Sequence, residues 1–316
     1  MPSECRCACA LRIDASHSAR VGTGNVTFAD KAEMTAVKSL AMSVTTGNVG
    51  YATEAKLTSG DAMSVTVGAG NVDFASKAVM TAAKTLDFAV TTGNVSFATE
   101  AKMSSGDAMT ARVGAGNVSL ADKAEMTAVK SLTLDVTTGD VTLSSQAKLT
   151  SGDAMTVSVG TGDILLDHAI SSADKRMQWT VGAGDVLLTA STVANGSDSM
   201  RWQIGGDVTL EQASSLTLKG ITDVSLKGDF TLRENSSVSS VGRWSLAALG
   251  NVEVNDTSVW AVQGVQNLLA GQNFQLHSQA SVTVTGSMLG AVGGDVLLPD
   301  QTQWQVSQAL SLAARG

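Results

Sequence analysis

An Asn or Asp recurs at a nearly constant interval along almost the whole chain. The interval is 23 residues from Asn25 to Asp163 and 22 residues from Asp163 to Asp295. The members are Asn25, Asn48, Asn71, Asn94, Asn117, Asp140, Asp163, Asp185, Asp207, Asp229, Asn251, Asn273 and Asp295. Self-similarity at such a period is typical of solenoids, in which each repeat buries its apolar face only against its neighbours. The sequence therefore predicts one repeat body, although 316 residues would suffice for two ordinary domains.

Each repeat contains three short runs in which apolar and polar residues alternate. With the Asn or Asp as position zero, the apolar positions of the first repeat are one and three, then seven, nine and eleven, then fifteen, seventeen and nineteen. Alternation with period two predicts β-strands, and these positions do not line one face of a helix. Crossover chirality favours a right-handed path. The predicted fold class is therefore all-β: a right-handed parallel β-helix (β-solenoid) of about thirteen three-strand coils of 22–23 residues.

The organisation along the chain follows from the same repeat. We expect residues 1–20 to form a disordered leader or a partial amino-terminal cap, and residues 21–316 to form a single β-solenoid shaft. Within the shaft, residues 21–162 are regular 46-residue double repeats and residues 163–316 are more divergent coils. Val44 precedes Asn48 by four residues, whereas Ile204 precedes Asp207 by three. The later coils are therefore predicted to lose one residue at the last corner.

Composition limits the partners. The net charge is −8 and the pI is ≈ 4.8, which disfavours binding to nucleic acid or to anionic membranes through a basic patch. The chain has no apolar run of about 18 residues, so no membrane span is predicted. The start mixes Glu4, Arg6 and Arg12 with short apolar stretches and does not resemble a signal peptide.

The cysteines are confined to Cys5, Cys7 and Cys9. An odd number at one end excludes a disulfide framework as the basis of the fold. Metal ligation, palmitoylation and an unstructured leader all fit the alternating pattern, and we favour the leader because only His17 lies near as a further ligand.

Outward-facing charges alternate in sign from one coil to the next in the early repeats. Position thirteen carries Lys38, Asp61, Lys84, Asp107, Lys130, Asp153, Arg176 and Asp198. Position six alternates in the same way in Lys31, Glu54, Lys77, Glu100 and Lys123. Stacking would turn like-charge repulsion into opposite-charge contacts, and a slip by one coil would reverse every contact. Tandem duplication of a 46-residue segment explains the same pattern equally well.

The Asn/Asp column itself has two interpretations. It becomes a run of five acidic residues, which defines a candidate cation ladder at Asp140, Asp163, Asp185, Asp207 and Asp229. The favoured alternative is that each side chain caps its own turn through backbone N–H groups. Asn at the early positions supports capping, which needs only an oxygen atom, so no metal site and no cofactor are predicted.

Two further sets of residues suggest surfaces. Position ten carries an outward hydroxyl column, Thr35, Thr58, Thr81, Ser104, Thr127 and Thr150. A flat Thr array suits ice binding, but the neighbouring position eight holds charged residues such as Glu33 and Lys56. All five Trp lie after residue 178 and would suit sugar stacking if exposed. They lie at position nine of a repeat or at inward positions of the third strand, which predicts instead that their rings are buried in the core.

Catalysis is not predicted. A β-helix hydrolase or lyase needs clustered acids, bases or His residues on one face, whereas His17, His168 and His277 are isolated and no carboxylate pair interrupts the columns. The expectation is that the protein is not an enzyme.

The string Gly24-Asn25-Val26-Thr27-Phe28, and later Gly206-Asp207-Val208-Thr209-Leu210, resembles the repeats of filamentous-haemagglutinin-like adhesins, which are two-partner-secretion exoproteins. The resemblance covers about residues 21–316. It implies a β-helical shaft at the cell surface or outside the cell that contacts host-cell or surface proteins and glycans.

The leading hypothesis for function is a structural or adhesive β-helix rod. The alternatives are a repeat scaffold that binds a protein or glycan, a solenoid polysaccharide lyase or hydrolase, and an ice-binding solenoid. Exposed strand edges at the ends of a coil stack would also permit end-to-end or lateral self-association.

Overall fold

The computed structural model describes residues 5–7 and 11–315. The chain divides into two compact units, Met1–Gly160 and Thr161–Gly316. Every regular element in the described residues is a β-strand, and none of those residues forms a helix able to cross a membrane. Cys9 lies outside the described residues, and Cys5 and Cys7 bound the first strand.

The amino-terminal unit is built from short strands separated by corners. Its strands are β1 Cys5–Cys7, β2 Leu11–Ile13, β3 His17–Thr23, β4 Val26–Phe28, β5 Glu33–Ala36, β6 Leu40–Thr46, β7 Val49–Tyr51, β8 Lys56–Ser59, β9 Met63–Ala69, β10 Val72–Phe74, β11 Val79–Ala82, β12 Leu86–Thr92, β13 Val95–Phe97, β14 Lys102–Ser105, β15 Met109–Ala115, β16 Val118–Leu120, β17 Glu125–Ala128, β18 Leu132–Thr138, β19 Val141–Ser144, β20 Lys148–Ser151 and β21 Ala154–Thr161.

The carboxyl-terminal unit repeats the same arrangement. Its strands are β22 Ile164–Asp167, β23 Ile170–Ala173, β24 Arg176–Ala183, β25 Val186–Thr189, β26 Val193–Gly196, β27 Ser199–Ile204, β28 Val208–Leu210, β29 Ser215–Lys219, β30 Ile221–Leu226, β31 Phe230–Leu232, β32 Ser237–Val241, β33 Trp244–Ala248, β34 Val252–Val254, β35 Val259–Gln263, β36 Gln266–Ala270, β37 Phe274–Leu276, β38 Ser281–Val284, β39 Met288–Val292, β40 Val296–Leu297, β41 Gln303–Val306 and β42 Leu310–Ala314.

Within each unit, strands pair in parallel with the strand three places further along the chain. In the amino-terminal unit the first sheet runs β1-β4-β7-β10-β13-β16-β19, and the second and third sheets follow the same rule. In the carboxyl-terminal unit the first sheet runs β22-β25-β28-β31-β34-β37-β40. The predicted all-β parallel solenoid of about thirteen three-strand turns is confirmed, while its handedness and the proposed domain limits stay predictions.

Register is kept from coil to coil because equivalent apolar residues stack in columns. Val72 pairs with Val95 and Phe74 with Phe97, both facing the interior. The rings of Phe28, Tyr51, Phe74 and Phe97 form one stack with centroids 4.5–4.7 Å apart. A shift by one residue would turn this whole set toward solvent, which is why the alternating pattern determines the pairing.

The tryptophans lie mainly in the core of the carboxyl-terminal unit. Trp179, Trp202, Trp244 and Trp260 are fully buried, as predicted, and the first two stack with ring centroids 4.7 Å apart. Trp304 is half-buried. Four of the five rings are therefore not available to stack on a sugar.

In the first coil of the carboxyl-terminal unit, the repeat shortens from 23 to 22 residues at a different corner from the one predicted. Ile170 pairs with Val193 although Ile170 is seven residues after Asp163 and Val193 is eight after Asp185, so this coil loses its residue at the first corner. The buried Thr192 hydroxyl of the next coil lies 2.9 Å from the Leu166 carbonyl oxygen and accepts from the Ala169 N–H. The coils that start at Asp185 and beyond lose it at the last corner, as predicted.

Two corner columns carry the 46-residue period as an alternation of Gly with larger residues. Position twelve alternates a side chain with Gly in Val37, Gly60, Ala83, Gly106, Val129 and Gly152, and position twenty alternates Thr with Gly in Thr45, Gly68, Thr91, Gly114, Thr137 and Gly160. A Cβ atom on each of these glycines from Gly60 to Gly152 would overlap the backbone carbonyl oxygen of the residue in the preceding coil. The glycine-bearing coils from Gly60 to Gly160 therefore have no room for a Cβ atom at these two corners.

Candidate functional site

The Asn/Asp column is a continuous hydrogen-bonded ladder within each unit. The Asn25 Oδ1 atom accepts the backbone N–H of Asn48 at 2.9 Å, and the same contact recurs up to Asp140. In the other unit the ladder runs from Asp163 to Asp295 with N–O distances of 2.6–3.1 Å. The prediction that each side chain caps its own turn is wrong, because the acceptor serves the next coil. The side-chain oxygen of one coil can reach the backbone N–H of the Asn or Asp in the following coil because the Gly before that Asn or Asp has no Cβ atom to block the contact.

The five predicted cation-ladder residues belong to this hydrogen-bonded column. Asp163, Asp185 and Asp207 line an open surface groove, and each uses one carboxylate oxygen to accept the N–H of the following coil. Asp229 accepts the N–H of Asn251 in the same way, and the N–H of Asp140 donates to the Asn117 side-chain oxygen. No group of three or more His, Cys, Asp or Glu in the described residues is arranged to hold a metal ion. The geometry assigns these carboxylates a backbone-satisfying role.

Within the position-thirteen column, each of two lysines reaches back to the aspartate of the preceding coil. Lys84 Nζ lies 2.9 Å from Asp61 Oδ1, and Lys130 Nζ lies 2.8 Å from Asp107 Oδ1. The hydrogen bond that Lys84 donates to Asp61, followed by the charge of Asp61, raises the pKa of Lys84, and Asp107 raises the pKa of Lys130 in the same way. The pairs are exposed, so they contribute little to stability and act mainly on register.

The far end of this column differs from the prediction. Asp61 and Lys84 follow the expected stacking, since the Lys84 N–H donates to the Asp61 carbonyl oxygen, but the Asp198 N–H donates to the carbonyl oxygen of Lys175 at 2.9 Å. Arg176 instead pairs with Ser199 at the start of β24. Lys175 therefore takes the place assigned to Arg176, because the first corner of that coil is one residue shorter. Asp153 closes the column within the amino-terminal unit, where its N–H donates to the Lys130 carbonyl oxygen.

Position eight, beside the hydroxyl column, forms a second set of ion pairs. Lys56 lies 2.8 Å from Glu33, and Glu125 is 3.0 Å from Lys102 and 3.5 Å from Lys148. Burial raises the pKa of Glu125, but the hydrogen bond and charge of Lys102, joined by Lys148, outweigh it and hold the pKa below its usual value. Glu125 therefore contacts the lysines of both neighbouring coils.

Position six has a backbone role that the charge pattern did not reveal. Lys31, Glu54, Lys77, Glu100 and Lys123 all have left-handed backbone conformations with φ between 58° and 62°. Among the described residues no ion pair joins members of this column, and the N–H of each donates to a carbonyl oxygen in the next coil. The corner conformation, and not an ion-pair ladder, defines this position.

The hydroxyl column lies on the outer face of the second sheet. Thr35, Thr58, Thr81, Ser104, Thr127 and Thr150 are all half-buried. The Thr81 and Ser104 hydroxyls lie 3.0 Å apart, so they satisfy one another in part. The ion pairs of position eight lie beside this column, so the face carries both uncharged hydroxyl groups and charged groups.

The histidines lie in different coils. His17 borders an open groove with Ser18, Ser64 and Asp87. His168 Nδ1 lies 3.3 Å from Asp167, and His277 Nε2 lies 2.9 Å from Gln275. These contacts are local, and they do not assemble a nucleophile, a base and an orienting group in the described residues.

One buried residue was missed by sequence reasoning. Gln266 is fully buried at position fifteen, between Trp244 and Met288 of the neighbouring coils. Neither amide atom has a hydrogen-bond partner among the described residues. The position is apolar in every early coil, so the register alone could have identified this substitution as unusual.

Comparison with known proteins finds no matching family model, no similar curated protein and no similar solved structure. The fold defines the chain as a β-solenoid repeat protein. The narrower assignment to filamentous-haemagglutinin-like adhesins stays a prediction from the repeat pattern.

Proposed function

We propose that this protein is a structural or adhesive β-solenoid without catalytic activity, which acts at the cell surface or outside the cell. The observation that carries the proposal is the outer face of the second sheet in the amino-terminal unit. There the in-register coils present the hydroxyl column at every turn and a charged residue at position eight in every turn except that of Val79. Such an array offers many identical weak contacts to a repetitive surface.

Repetition affects binding through effective concentration. A single Thr or Lys contact is weak, but several contacts made together by one rigid sheet can raise the overall affinity by about 10²–10⁴. A protein that works in this way binds surfaces with many copies of a ligand far better than it binds the free ligand. This behaviour separates an adhesive array from a scaffold with one pocket.

The test uses the full chain on beads, applied to cultured cells and to glycans printed at increasing density. We expect binding that rises steeply with ligand density and that is lost in the variant Thr58→Val/Thr81→Val/Thr127→Val. Valine keeps the branched shape and the strand preference of Thr while removing the hydroxyl. The matched control is Thr110→Val/Thr133→Val on the third sheet, which should leave binding unchanged.

Two results would overturn the proposal. One is that beads coated with the chain adhere no better than beads coated with an unrelated acidic protein. The other is saturable binding of one free glycan with the same affinity at every printed density, which indicates a single-site scaffold.

A further inference from the structure

The methionine at position nine of the first repeat differs in exposure from the other methionines of the described residues. Met34 is half-buried. The others are at most 6% exposed, and they are Met42, Met63, Met80, Met103, Met109, Met126, Met155, Met177, Met200 and Met288. Within the described part of the chain, one thioether side chain is therefore accessible to small solutes while the rest are enclosed by the core.

The packing of the preceding coil explains the exposure of Met34. Met80 lies between Leu57 and Met103 of the adjacent coils, and all three side chains are buried. Met34 lies instead between Leu57 and Leu11, and Leu11 is 42% exposed. A leucine that is itself so exposed covers Met34 only in part.

A small residue in the same preceding coil leaves a cavity beside Met34. Ala19, in β3, pairs with Met42 of the next coil and is too short to fill the space that a larger side chain would occupy. The cavity has a volume of ≈ 60 Å³, and all its lining residues are apolar, among them Ala19, Phe28, Met34, Met42 and Leu57. One water molecule needs about 10–15 Å³, so hydrogen peroxide, which has two oxygen atoms, fits into this space.

An alanine recurs at the same position of another coil without this effect. Ala111 pairs with the large Phe88, and the cavity beside them is only ≈ 10 Å³, which is the lower limit for one water molecule. Met103 and Met126 line that smaller cavity and are each 1% exposed. A small residue alone therefore does not expose the neighbouring methionines, and the incomplete cover of Met34 is specific to its own coil.

The reaction open to an accessible thioether is oxygen transfer from a peroxide. A lone pair of the Met34 sulfur attacks one oxygen of hydrogen peroxide, the O–O bond breaks and an S=O bond forms. The second oxygen takes the proton of the first and leaves as water, so the sulfur is oxidised by two electrons and the peroxide is reduced. The sulfoxide is polar, and an apolar cavity offers its oxygen no hydrogen-bond donor.

We propose that Met34 is a peroxide-oxidation site and that its sulfoxide loosens the pairing of β2 and β3 with the next coil. The new S=O group gains access to water when the coil that contains Leu11 and Ala19 moves away from the cavity. Methionine sulfoxide is reduced back to methionine by reductases, so the change is reversible. The inference goes beyond the proposed adhesive function and does not depend on it.

Limited treatment of the full chain with hydrogen peroxide, followed by mass spectrometry of each methionine peptide, tests the site. We expect Met34 to be oxidised about tenfold or more faster than Met80, because a buried group reacts only when the fold opens. Amide hydrogen exchange should then become faster over residues 11–23 and stay unchanged over residues 63–115. Met34→Leu, which copies Leu57 at the same position of the next coil, should abolish this change in exchange. Met80→Leu is the matched control and should retain it.

A thiol reductant added before the exchange measurement separates methionine from cysteine oxidation. It reverses sulfenic acids and disulfides of Cys5, Cys7 and Cys9 but leaves the sulfoxide, which methionine sulfoxide reductases then remove. Return of slow exchange after reductase treatment supports the inference even if Met34→Leu misfolds. Equal oxidation rates of Met34 and Met80 overturn it, as does faster exchange over residues 11–23 that persists in folded Met34→Leu. Oxidation of Met34 without faster exchange in that segment also overturns it.

Discussion

At the residue scale, corner glycines mark places where the backbone of a neighbouring coil leaves no room for a Cβ atom. Gly114 follows Thr91 in the position-twenty column, and the regular pairing skips this position between Val90–Val113 and Thr92–Ala115. At this unpaired position a Cβ atom on Gly114 would lie only 2.4 Å from the Thr91 carbonyl oxygen. Gly50, in β7, has nothing within 4 Å of its own Cβ position.

Gly114→Ala is expected to lower the free energy of unfolding by about 2–4 kcal/mol, because the added methyl group overlaps backbone and not a flexible side chain. Gly50→Ala is the matched control and should be neutral or stabilising by less than about 1 kcal/mol, since it lowers the chain entropy lost on folding. Urea unfolding followed by circular dichroism measures both. Equal effects at the two sites would contradict the steric explanation.

Gln266 is a second residue-scale test. Its buried amide has no hydrogen-bond partner among the described residues, whereas Met has a similar volume and needs none. Gln266→Met should therefore raise the free energy of unfolding by about 1–3 kcal/mol. Gln263→Met, at an exposed position of the same coil, should change it by less than about 0.5 kcal/mol. A destabilised Gln266→Met variant would show that the amide has a partner in solution.

At the element scale, the charged columns set the register of strands that would otherwise match at several offsets. The backbone pairing of a one-coil slip is nearly the same, because columns one and three are apolar throughout. Alternating charges distinguish the two registers, since the slipped one places lysine over lysine. This explains why weak pairs can matter for specificity although they contribute little to stability.

The Glu125 contacts predict a pH dependence. The folded-state pKa of Glu125 lies below its ordinary value, so its stabilising contribution is complete above that ordinary value and is lost as pH falls through the folded-state pKa. Glu125→Gln should lower stability at pH 7 by about 1 kcal/mol or less after solvent screening, and have no effect at acidic pH below the folded-state pKa. Glu100→Gln, without an ion pair in the described residues, is the control. A pH-independent effect of Glu125→Gln would contradict the electrostatic origin.

At the scale of the whole molecule, contacts are local along the coil axis. Within each unit, the described strands pair only with their equivalents in adjacent coils, so a defect affects mainly the coils next to it. Gly114→Ala should speed amide hydrogen exchange in the coils between residues 94 and 140 and leave residues 251–295 unchanged. Exchange measured by mass spectrometry tests this, with Gly50→Ala as the control. A uniform increase along the chain would indicate global cooperativity.

Prediction from the sequence was correct within the strands, where each side chain points either into the core or toward solvent. The columns at positions one and three, the burial of Trp202 and Trp260 and the three strands per coil follow from alternation alone. It failed at corners, where backbone conformation matters more than polarity. The alternating charges at position six gave no sign of the left-handed backbone conformation found there. The corner before Ala169 is one residue shorter than expected, so Lys175 and not Arg176 occupies position thirteen of that coil.

The sequence by itself determined the class of this protein: a parallel β-solenoid, because a period-two pattern inside a 22- to 23-residue repeat has few other ways to bury its apolar residues. Only the tertiary structure decided which coil each Asn or Asp serves and which corner glycines lie too close to a neighbouring carbonyl oxygen to carry a Cβ atom. Those relations depend on distances between coils. A one-dimensional pattern orders the coils but does not specify the contacts between their corners and outer faces.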